Sequence, residues 1–290
     1  MDKSFLQTIV NNDYMLPPQQ SVEALTPELL KNLGSADPER REQSATILEK
    51  WFNRGYYSPD DLSRIIAHLS NNLTVGLGEQ GTDTVLLRSF SALTLAEIAY
   101  YGFEHPFLTE NQLRQLLEDG LAYFLAERDL RGHEAGPGWI HAVAHGSDLL
   151  AALALHDVLQ VADLERIMEA IATKVAPPIP HVYLYNEDQR MVRAVLWTLQ
   201  RNLLTMGFIS NWLDRITHYD GKTIGVESFL ALLDGNKSAI DNTTSISILH
   251  NTKQFLCSLY FHLINIEQPP VVLTELLPQV QTALDPINAF

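Results

Sequence analysis

The chain has 290 residues, 46% of them hydrophobic and 19% charged, a globular composition that excludes a disordered chain. Its net charge of −15 disfavours nucleic-acid binding and docking on anionic lipid, because both need a cationic protein surface. A single cysteine excludes an intrachain disulfide, and neither a signal-peptide core nor a membrane-length apolar run is present, so we expect an acidic cytoplasmic protein with no nucleic-acid or membrane partner.

Helix-starting signals recur along the first half of the chain. Thr26-Pro27, Asp37-Pro38 and Ser58-Pro59 each place a capping side chain before a proline, a residue that fits the first position of a helix. Thr109 and Gln112 have the spacing of a capping box, in which each side chain satisfies a free amide of the other. Runs of alternating β-branched residues are scarce, so the sequence predicts an all-α chain.

Long amphipathic segments recur about every fifty residues, as in helical-repeat proteins. They predict helices over Glu39 to Tyr56, Leu86 to Phe103, Gly138 to His156, Asp188 to Phe208 and His250 to Ile264. Second helices are predicted between them, over Ser58 to Ser70, Thr109 to Ala126 and Asp163 to Val175. This pattern is typical of a HEAT- or armadillo-like α–α superhelix, and a closed α/α toroid would produce the same pattern.

Three segments interrupt the helical pattern. The glycine-rich stretch Thr74 to Asp83 predicts a loop, and the prolines of Val175 to Tyr185 predict an extended connection because proline cannot continue a helix. The third, Asp220 to Thr244, is polar and rich in turn residues. Since composition does not change sharply at any of them, we predict one helical-repeat domain over residues 1–290, with a weak subdivision near 175–185.

The stretch GWIHAVAHGSD, residues 138–148, holds the main candidate site. Indexed as one helix from Trp139 to Leu155, it places His141, His145 and Asp148 on a single face. The helix has almost no long charged side chains, which predicts that it is buried. Buried imidazoles need hydrogen-bond partners or a metal ion.

Two functions fit this face, and a third reading is purely structural. Histidines at positions i and i+4 can bind a divalent cation, with Asp148 as a third ligand or as an acceptor that orients a ring. The glutamate that follows the first histidine in zinc proteases is missing, because Ala142 follows His141. The other functional reading is a groove that binds a ligand. In the structural reading, the polar groups lock neighbouring repeats together.

Two flanking segments extend the candidate groove. Arg131 lies in a glycine-rich stretch that can bring backbone amides to a helix N-terminus, which attracts anions, although a plain loop fits equally. Glu187, Asp188 and Arg190 open the next long helix, where acids also complement the helix dipole without any function. The complete predicted groove is Arg131, Trp139, His141, His145, Asp148, Glu187, Asp188 and Arg190.

These segments resemble a bacterial family described only as domain of unknown function 2785. The pattern they share with it is Arg-Gly, then Gly-Trp-x-His-x-x-Ala-His-x-x-Asp, then Glu-Asp-x-Arg. In this chain it falls on Arg131 and Gly132, on Gly138, Trp139, His141, Ala144, His145 and Asp148, and on Glu187, Asp188 and Arg190. The resemblance implies an all-helical, HEAT-like protein and implies no known reaction.

We therefore predict an interaction or ligand-binding module whose His/Asp groove takes a protein, a peptide or a small anionic ligand. The alternative is a metal-dependent or acid–base hydrolase. In that alternative His141, His145 and Asp148 hold a divalent metal ion as cofactor, and Glu187 or Asp188 activates water. The sequence leaves open whether the protein is an enzyme.

Overall fold

A computed structural model of the protein describes residues 1–219, 222–224, 242–267 and 269–287. Within those residues the chain forms twelve helices and two hairpins of two-residue strands. The predicted all-α class is therefore confirmed. Most of the polar segment Asp220 to Thr244 lies outside the described residues.

The chain divides into two compact units, Met1–Val158 and Leu159–Phe290. The division lies earlier than the weak subdivision predicted near residues 175–185, which falls inside the second unit. A single domain over residues 1–290 stays a prediction, and each unit is described by itself.

The N-terminal unit contains seven helices and one hairpin. The helices are α1 (Lys3–Asn11), α2 (Val22–Asn32), α3 (Pro38–Asn53), α4 (Pro59–Asn72), α5 (Thr84–Glu104), α6 (Glu110–Ala126) and α7 (Ala142–Ala154), with the hairpin of β1 (His133–Glu134) and β2 (Gly138–Trp139) before α7. Helices α3 and α4 pack against α5, which in turn packs against α7.

Three predicted helix starts are confirmed. Asp37 accepts a hydrogen bond from the Arg40 amide at 3.3 Å and so caps α3. Ser58 begins α4 through a capping box with Asp61, and Thr109 begins α6 through the predicted capping box with Gln112. Local capping chemistry therefore determines where these helices begin.

The predicted start at Thr26 is wrong. Helix α2 begins five residues earlier, at Val22 instead of Pro27, because Ser21 caps it by accepting a hydrogen bond from the Ala24 amide. Thr26 instead donates to the Val22 carbonyl within the helix at 2.6 Å, and Pro27 lies in the helix interior. Ser21 and Thr26 are both suitable N-cap residues, and Ser21 is the one that caps α2.

Helix α7 forms the centre of the N-terminal unit, packed between α5 and α6. All 13 of its residues are buried, which confirms the burial predicted from its lack of long charged groups. Gly146 allows the close approach, because a Cβ added there would lie 2.6 Å from Cδ2 of Phe124 on α6.

The C-terminal unit contains five helices and a second hairpin within its described residues. They are α8 (Val161–Val175), α9 (Glu187–Gln200), α10 (Met206–Thr217), the hairpin of β3 (His218–Tyr219) and β4 (Lys222–Thr223), α11 (Asn242–Asn265) and α12 (Val271–Leu284). Helix α9 packs against α8 and α11, and α12 packs against α10 and α11. Trp212 of α10 is fully buried and donates its indole N–H to the Met168 carbonyl at 2.7 Å.

Candidate binding site at the start of helix α7

The glycine-rich segment before α7 folds into a tight hairpin. His133 pairs with Trp139, and Glu134 pairs with Gly138, in antiparallel register. Gly136 and Gly138 have φ angles of 104° and 73°, which glycine adopts without steric cost. The segment is therefore a hairpin that contains Trp139 and not a plain loop, and anion binding by it stays a prediction.

The prediction that one helix runs from Trp139 to Leu155 is wrong at its N-terminal end. Trp139 belongs to β2, and His141 is the residue before α7, with left-handed angles of φ 51° and ψ 31°. The Ile140 amide donates to the Gly132 carbonyl at 2.8 Å, and the His141 amide contacts the same carbonyl at 3.2 Å. These bonds to the hairpin hold residues 140–141 outside the helix.

The left-handed backbone of His141 is uncommon for a residue with a side chain. Such a conformation costs about 1–3 kcal/mol and concentrates at functional sites, although histidine tolerates it better than most residues. The His141 ring lies 4.4 Å from the indole of Trp139 and 5.7 Å from the His145 ring, measured between centroids.

Five rings form a continuous row that we call the aromatic ladder: His133, Trp139, His141, His145 and Phe90. Successive ring centroids lie 4.8, 4.4, 5.7 and 5.1 Å apart. The ladder begins at the surface, where the Trp139 residue is 38% exposed, and ends in the core, where His145 is 6% exposed. It therefore connects an exposed aromatic surface to buried imidazoles.

Hydrogen bonding fixes the tautomer of neutral His145. Ser89 donates its hydroxyl hydrogen to the Ile140 carbonyl, which can only accept. The Ser89 oxygen therefore accepts from Nδ1 of His145, which lies 2.8 Å away. When this imidazole is neutral, its proton is on Nδ1 and its lone pair is on Nε2.

Phe90, at the buried end of the aromatic ladder, contacts a buried cation. The guanidinium of Arg41 is fully buried and lies 4.7 Å from the centroid of the Phe90 ring. It donates to the carbonyls of Ser35 at 2.6 Å and Trp139 at 2.8 Å, and also to that of Pro137. Burial lowers the pKa of Arg41, although arginine stays protonated. Arg41 thus ties the hairpin to α3.

Arg131, the predicted anion contact, is already paired with carboxylates. Its guanidinium donates to Asp129 at 2.6 Å and to Glu134 at 2.8 Å. These contacts, with Asp129 first, raise the pKa of Arg131 above its usual value. Burial raises the pKa of Asp129, but hydrogen bonds from Arg131 and from the Gly81 amide outweigh it, so the net pKa is lowered. An added anion would therefore compete with two resident carboxylates.

A buried ion pair anchors the segment between α6 and the hairpin. Nε of Arg88 lies 2.7 Å from Glu127, and the two side chains are 0% and 2% exposed. Arg88 also donates to the carbonyls of Val75 and Gly76 at 2.8 Å each, which holds the glycine-rich loop predicted at Thr74 to Asp83.

Asp148 is 5% exposed, one turn after His145 on α7. Within the part of the chain that the structure describes, no group of three or more His, Cys, Asp or Glu side chains is arranged to hold a metal ion. The metal site of His141, His145 and Asp148 therefore stays a prediction without geometric support.

The remaining predicted residues lie in the C-terminal unit. Glu187 is 1% exposed at the start of α9, and its carboxylate accepts from the Tyr185 amide at 2.8 Å. Burial raises the pKa of both Glu187 and Asp188, so both carboxyls favour the protonated form more than usual. Arg190 donates its backbone amide to the Asn186 carbonyl at 3.2 Å. A groove that joins these residues to the ladder stays a prediction.

Sequence reasoning missed Arg41, Ser89 and Phe90, which complete the buried end of the ladder. They belong to α3 and α5, and no local spacing links them to the histidines. The one available signal was polarity. Arg88 and Ser89 interrupt the otherwise apolar run that begins α5, and buried polar groups require partners.

None of the helices in the described ranges has both the length and the apolarity needed to cross a membrane.

Comparison with known proteins identifies one family. No curated protein and no solved structure matches the chain. The model of the family described as "Protein of unknown function (DUF2785)" matches residues 73–261, more than half of the chain and a span that includes every residue of the predicted groove. The chain therefore belongs to the DUF2785 family.

Proposed function

We propose that this protein binds a protein or peptide partner through the exposed end of the aromatic ladder. The observation that carries the proposal is the continuous ring contact from the exposed Trp139 to the buried His145. Tryptophan is enriched among residues that dominate binding energy. Because His133 and His141 already contact the indole, binding orders few additional side-chain rotamers, which lowers the entropic cost of association.

The charges near Trp139 favour a basic partner over a small anion. The carboxylates of Glu42 and Glu134 are each 43% exposed, and Glu42 lies beside the hairpin residue Gly138. Arg41 and Arg131, two cations that contact residues of the hairpin, already donate to carbonyls or carboxylates. A lysine or arginine side chain can contact the indole face by a cation–π interaction while the two carboxylates complement its charge.

We expect Trp139→Ala to weaken this binding at least about tenfold, the effect of losing a central aromatic contact. The test is an array of short peptides in which lysine and arginine are replaced in turn by glutamine. The matched control is Phe103→Ala, which removes an aromatic side chain of 44% exposure at the end of α5. Retention of the same basic peptides by both variants would refute the proposal, as would a preference for acidic peptides.

The acid–base hydrolase is the second candidate, and the His145 tautomer favours it. A general base accepts a proton on a lone pair, and the bond to Ser89 places the lone pair of neutral His145 on Nε2. In this candidate Ser89 is a positioning residue, and the acids predicted to activate water are Glu187 and Asp188.

We expect nitrogen NMR of the parent to show neutral His145 protonated at Nδ1, and Ser89→Ala to lose that preference. For the hydrolase itself, chromogenic carboxylic and phosphate esters are assayed with and without chelator, beside elemental analysis of protein purified without a metal-affinity tag. Hydrolysis that is lost in a folded His145→Gln variant supports the candidate, and bound metal lost in His141→Ala/His145→Ala supports its metal form. If the parent hydrolyses these esters no faster than the His145→Gln variant does, the hydrolase candidate is refuted.

We also propose that the helices form the HEAT-like superhelix that the sequence predicts. A HEAT-like superhelix is supported by the packing of sequential neighbours, such as α2 with α3, α4 with α5 and α8 with α9. We also propose a bacterial origin and a cytoplasmic location. The lone cysteine is consistent with a reducing compartment.

A further inference from the structure

A second candidate site lies between α2 and α4, in a region that the family match does not include. It is a pocket of about 310 Å³, at the lower end of the volumes of small-molecule sites. Pro27, Leu30 and Ile65 provide its apolar lining. None of its residues belongs to the aromatic ladder, so this site is independent of the proposed function.

The hydroxyl of Tyr57 presents an acceptor to this pocket. Thr26 gives its only hydroxyl hydrogen to the Val22 carbonyl at 2.6 Å. The 2.7 Å contact between Thr26 and Tyr57 is therefore a bond in which Tyr57 donates. With its hydrogen used there, the Tyr57 oxygen can only accept from a ligand.

Pro27 provides a second acceptor. In a regular helix the amide of residue 27 would donate to the carbonyl of Glu23, four residues earlier. Proline has no amide hydrogen, so Pro27 leaves the Glu23 carbonyl without that donor. Glu23, Thr26 and Pro27 all line the pocket, so the Glu23 carbonyl is a candidate acceptor for a ligand bound there.

Two carboxylates, those of Glu23 and Asp61, also line the pocket. Burial is the main reason why the pKa of Tyr57 lies well above its usual value, but the charges of Asp61 and Glu23 raise it further. The basic side chains of the lining are Arg64, which is 72% exposed and paired with Asp61, and His68, which is exposed. The other polar groups of the lining are acceptors or carboxylates, of which Tyr57 is buried and Glu23 is exposed.

We propose that this pocket binds a small ligand with an apolar body and a protonated amine. The apolar lining fits the body, and the Tyr57 oxygen, the Glu23 carbonyl and the Glu23 carboxylate are suited to accept the three hydrogens of an ammonium group. An anionic ligand would meet carboxylates, and a neutral one would leave acceptors without donors.

The test is calorimetric titration of the full chain with phenethylammonium, phenethyl alcohol and phenylacetate. We expect saturable binding of the amine, about tenfold tighter than that of the alcohol, because a charge-assisted hydrogen bond replaces a neutral one. Phenylacetate should not bind. No saturable binding of the amine, or equal affinity for the alcohol, would overturn the proposal.

Two variants locate the binding. Pro27→Ala returns an amide donor to the Glu23 carbonyl and favours the helix, so weaker amine binding cannot come from unfolding. Because Pro27 is also part of the apolar lining, its effect on the amine is compared with its effect on phenethyl alcohol. We expect it to weaken binding about fivefold and Glu23→Gln about tenfold, the size of one neutral and one charged hydrogen bond. The matched control is Glu104→Gln, at the exposed end of α5, which should bind like the parent. Amine binding that is unchanged in both pocket variants would place the amine elsewhere and refute the site.

Discussion

Replacing Arg88 by methionine is expected to lower the free energy of unfolding by about 3–5 kcal/mol, the cost of leaving one partner of a buried ion pair alone. Glu127 would remain 2% exposed without the guanidinium of Arg88. The carbonyls of Val75 and Gly76 would also lose their donor. Chemical denaturation of the full chain, followed by circular dichroism, measures the change.

Two controls separate the buried pair from charge in general. The double variant Arg88→Met/Glu127→Met removes both charges and should recover much of the lost stability, because apolar side chains of similar volume can replace a buried ion pair. Arg114→Met breaks the exposed pair with Glu110, at 45% and 61% exposure, and should change stability by less than about 1 kcal/mol. An Arg88→Met protein as stable as Arg114→Met would show that Arg88 is not an essential partner in the core.

The helices that surround the Arg88–Glu127 pair could be predicted, but the pair itself could not. Capping residues and apolar periodicity are local signals, and they predicted α5 and α6 within a few residues. The two partners are separated by 39 residues and belong to different parts of the chain. A charged residue in an apolar run indicates that it needs a partner, but it does not identify which acid will be near it in the fold.

The start of α7 shows where periodicity is misleading. The apolar pattern continues without a break through Trp139, so a helical index places His141 on the face of His145 and Asp148. Two amides at residues 140–141 instead bond to carbonyls of the preceding loop, and His141 adopts a left-handed backbone. The pattern of apolar and polar side chains does not indicate this backbone conformation. The two histidine rings still lie 5.7 Å apart, but they do so with His141 outside the helix and not on a shared helical face.

The predicted groove has two halves, one at the start of α7 and one at the start of α9. In each half the sequence indicated the local residues but not the distant ones that pack against them. Each half begins with a left-handed residue other than glycine directly before a helix, His141 before α7 and Asn186 before α9. The residue types that compose each half were evident from the sequence. Which side chains complete each half depends on packing. Ser89 and Arg41 at the ladder come from other helices and have no local signature.

Replacing Gly146 by alanine is expected to lower the free energy of unfolding by about 1–3 kcal/mol, although alanine normally stabilises a helix interior. A Cβ at this position would lie 2.6 Å from Cδ2 of Phe124 and 3.2 Å from Cε1 of Tyr123. Both rings are 1% exposed, so neither can move into solvent. Helices α6 and α7 must therefore separate to accept one methyl group, and thermal or chemical unfolding measures the loss.

The matched control is Gly207→Ala in the first turn of α10, where the nearest atom to an added Cβ is 3.9 Å away. That variant should be neutral or gain up to about 1 kcal/mol, because only the helix propensity changes. A Gly146→Ala protein that gains as much as Gly207→Ala would contradict the close approach of α6 and α7. The separation should also reach the ladder, because Tyr123 donates to the Ala142 carbonyl directly after His141. We therefore expect Gly146→Ala to change the fluorescence of Trp139, whose indole stacks on the His141 ring, whereas Gly207→Ala leaves it unchanged.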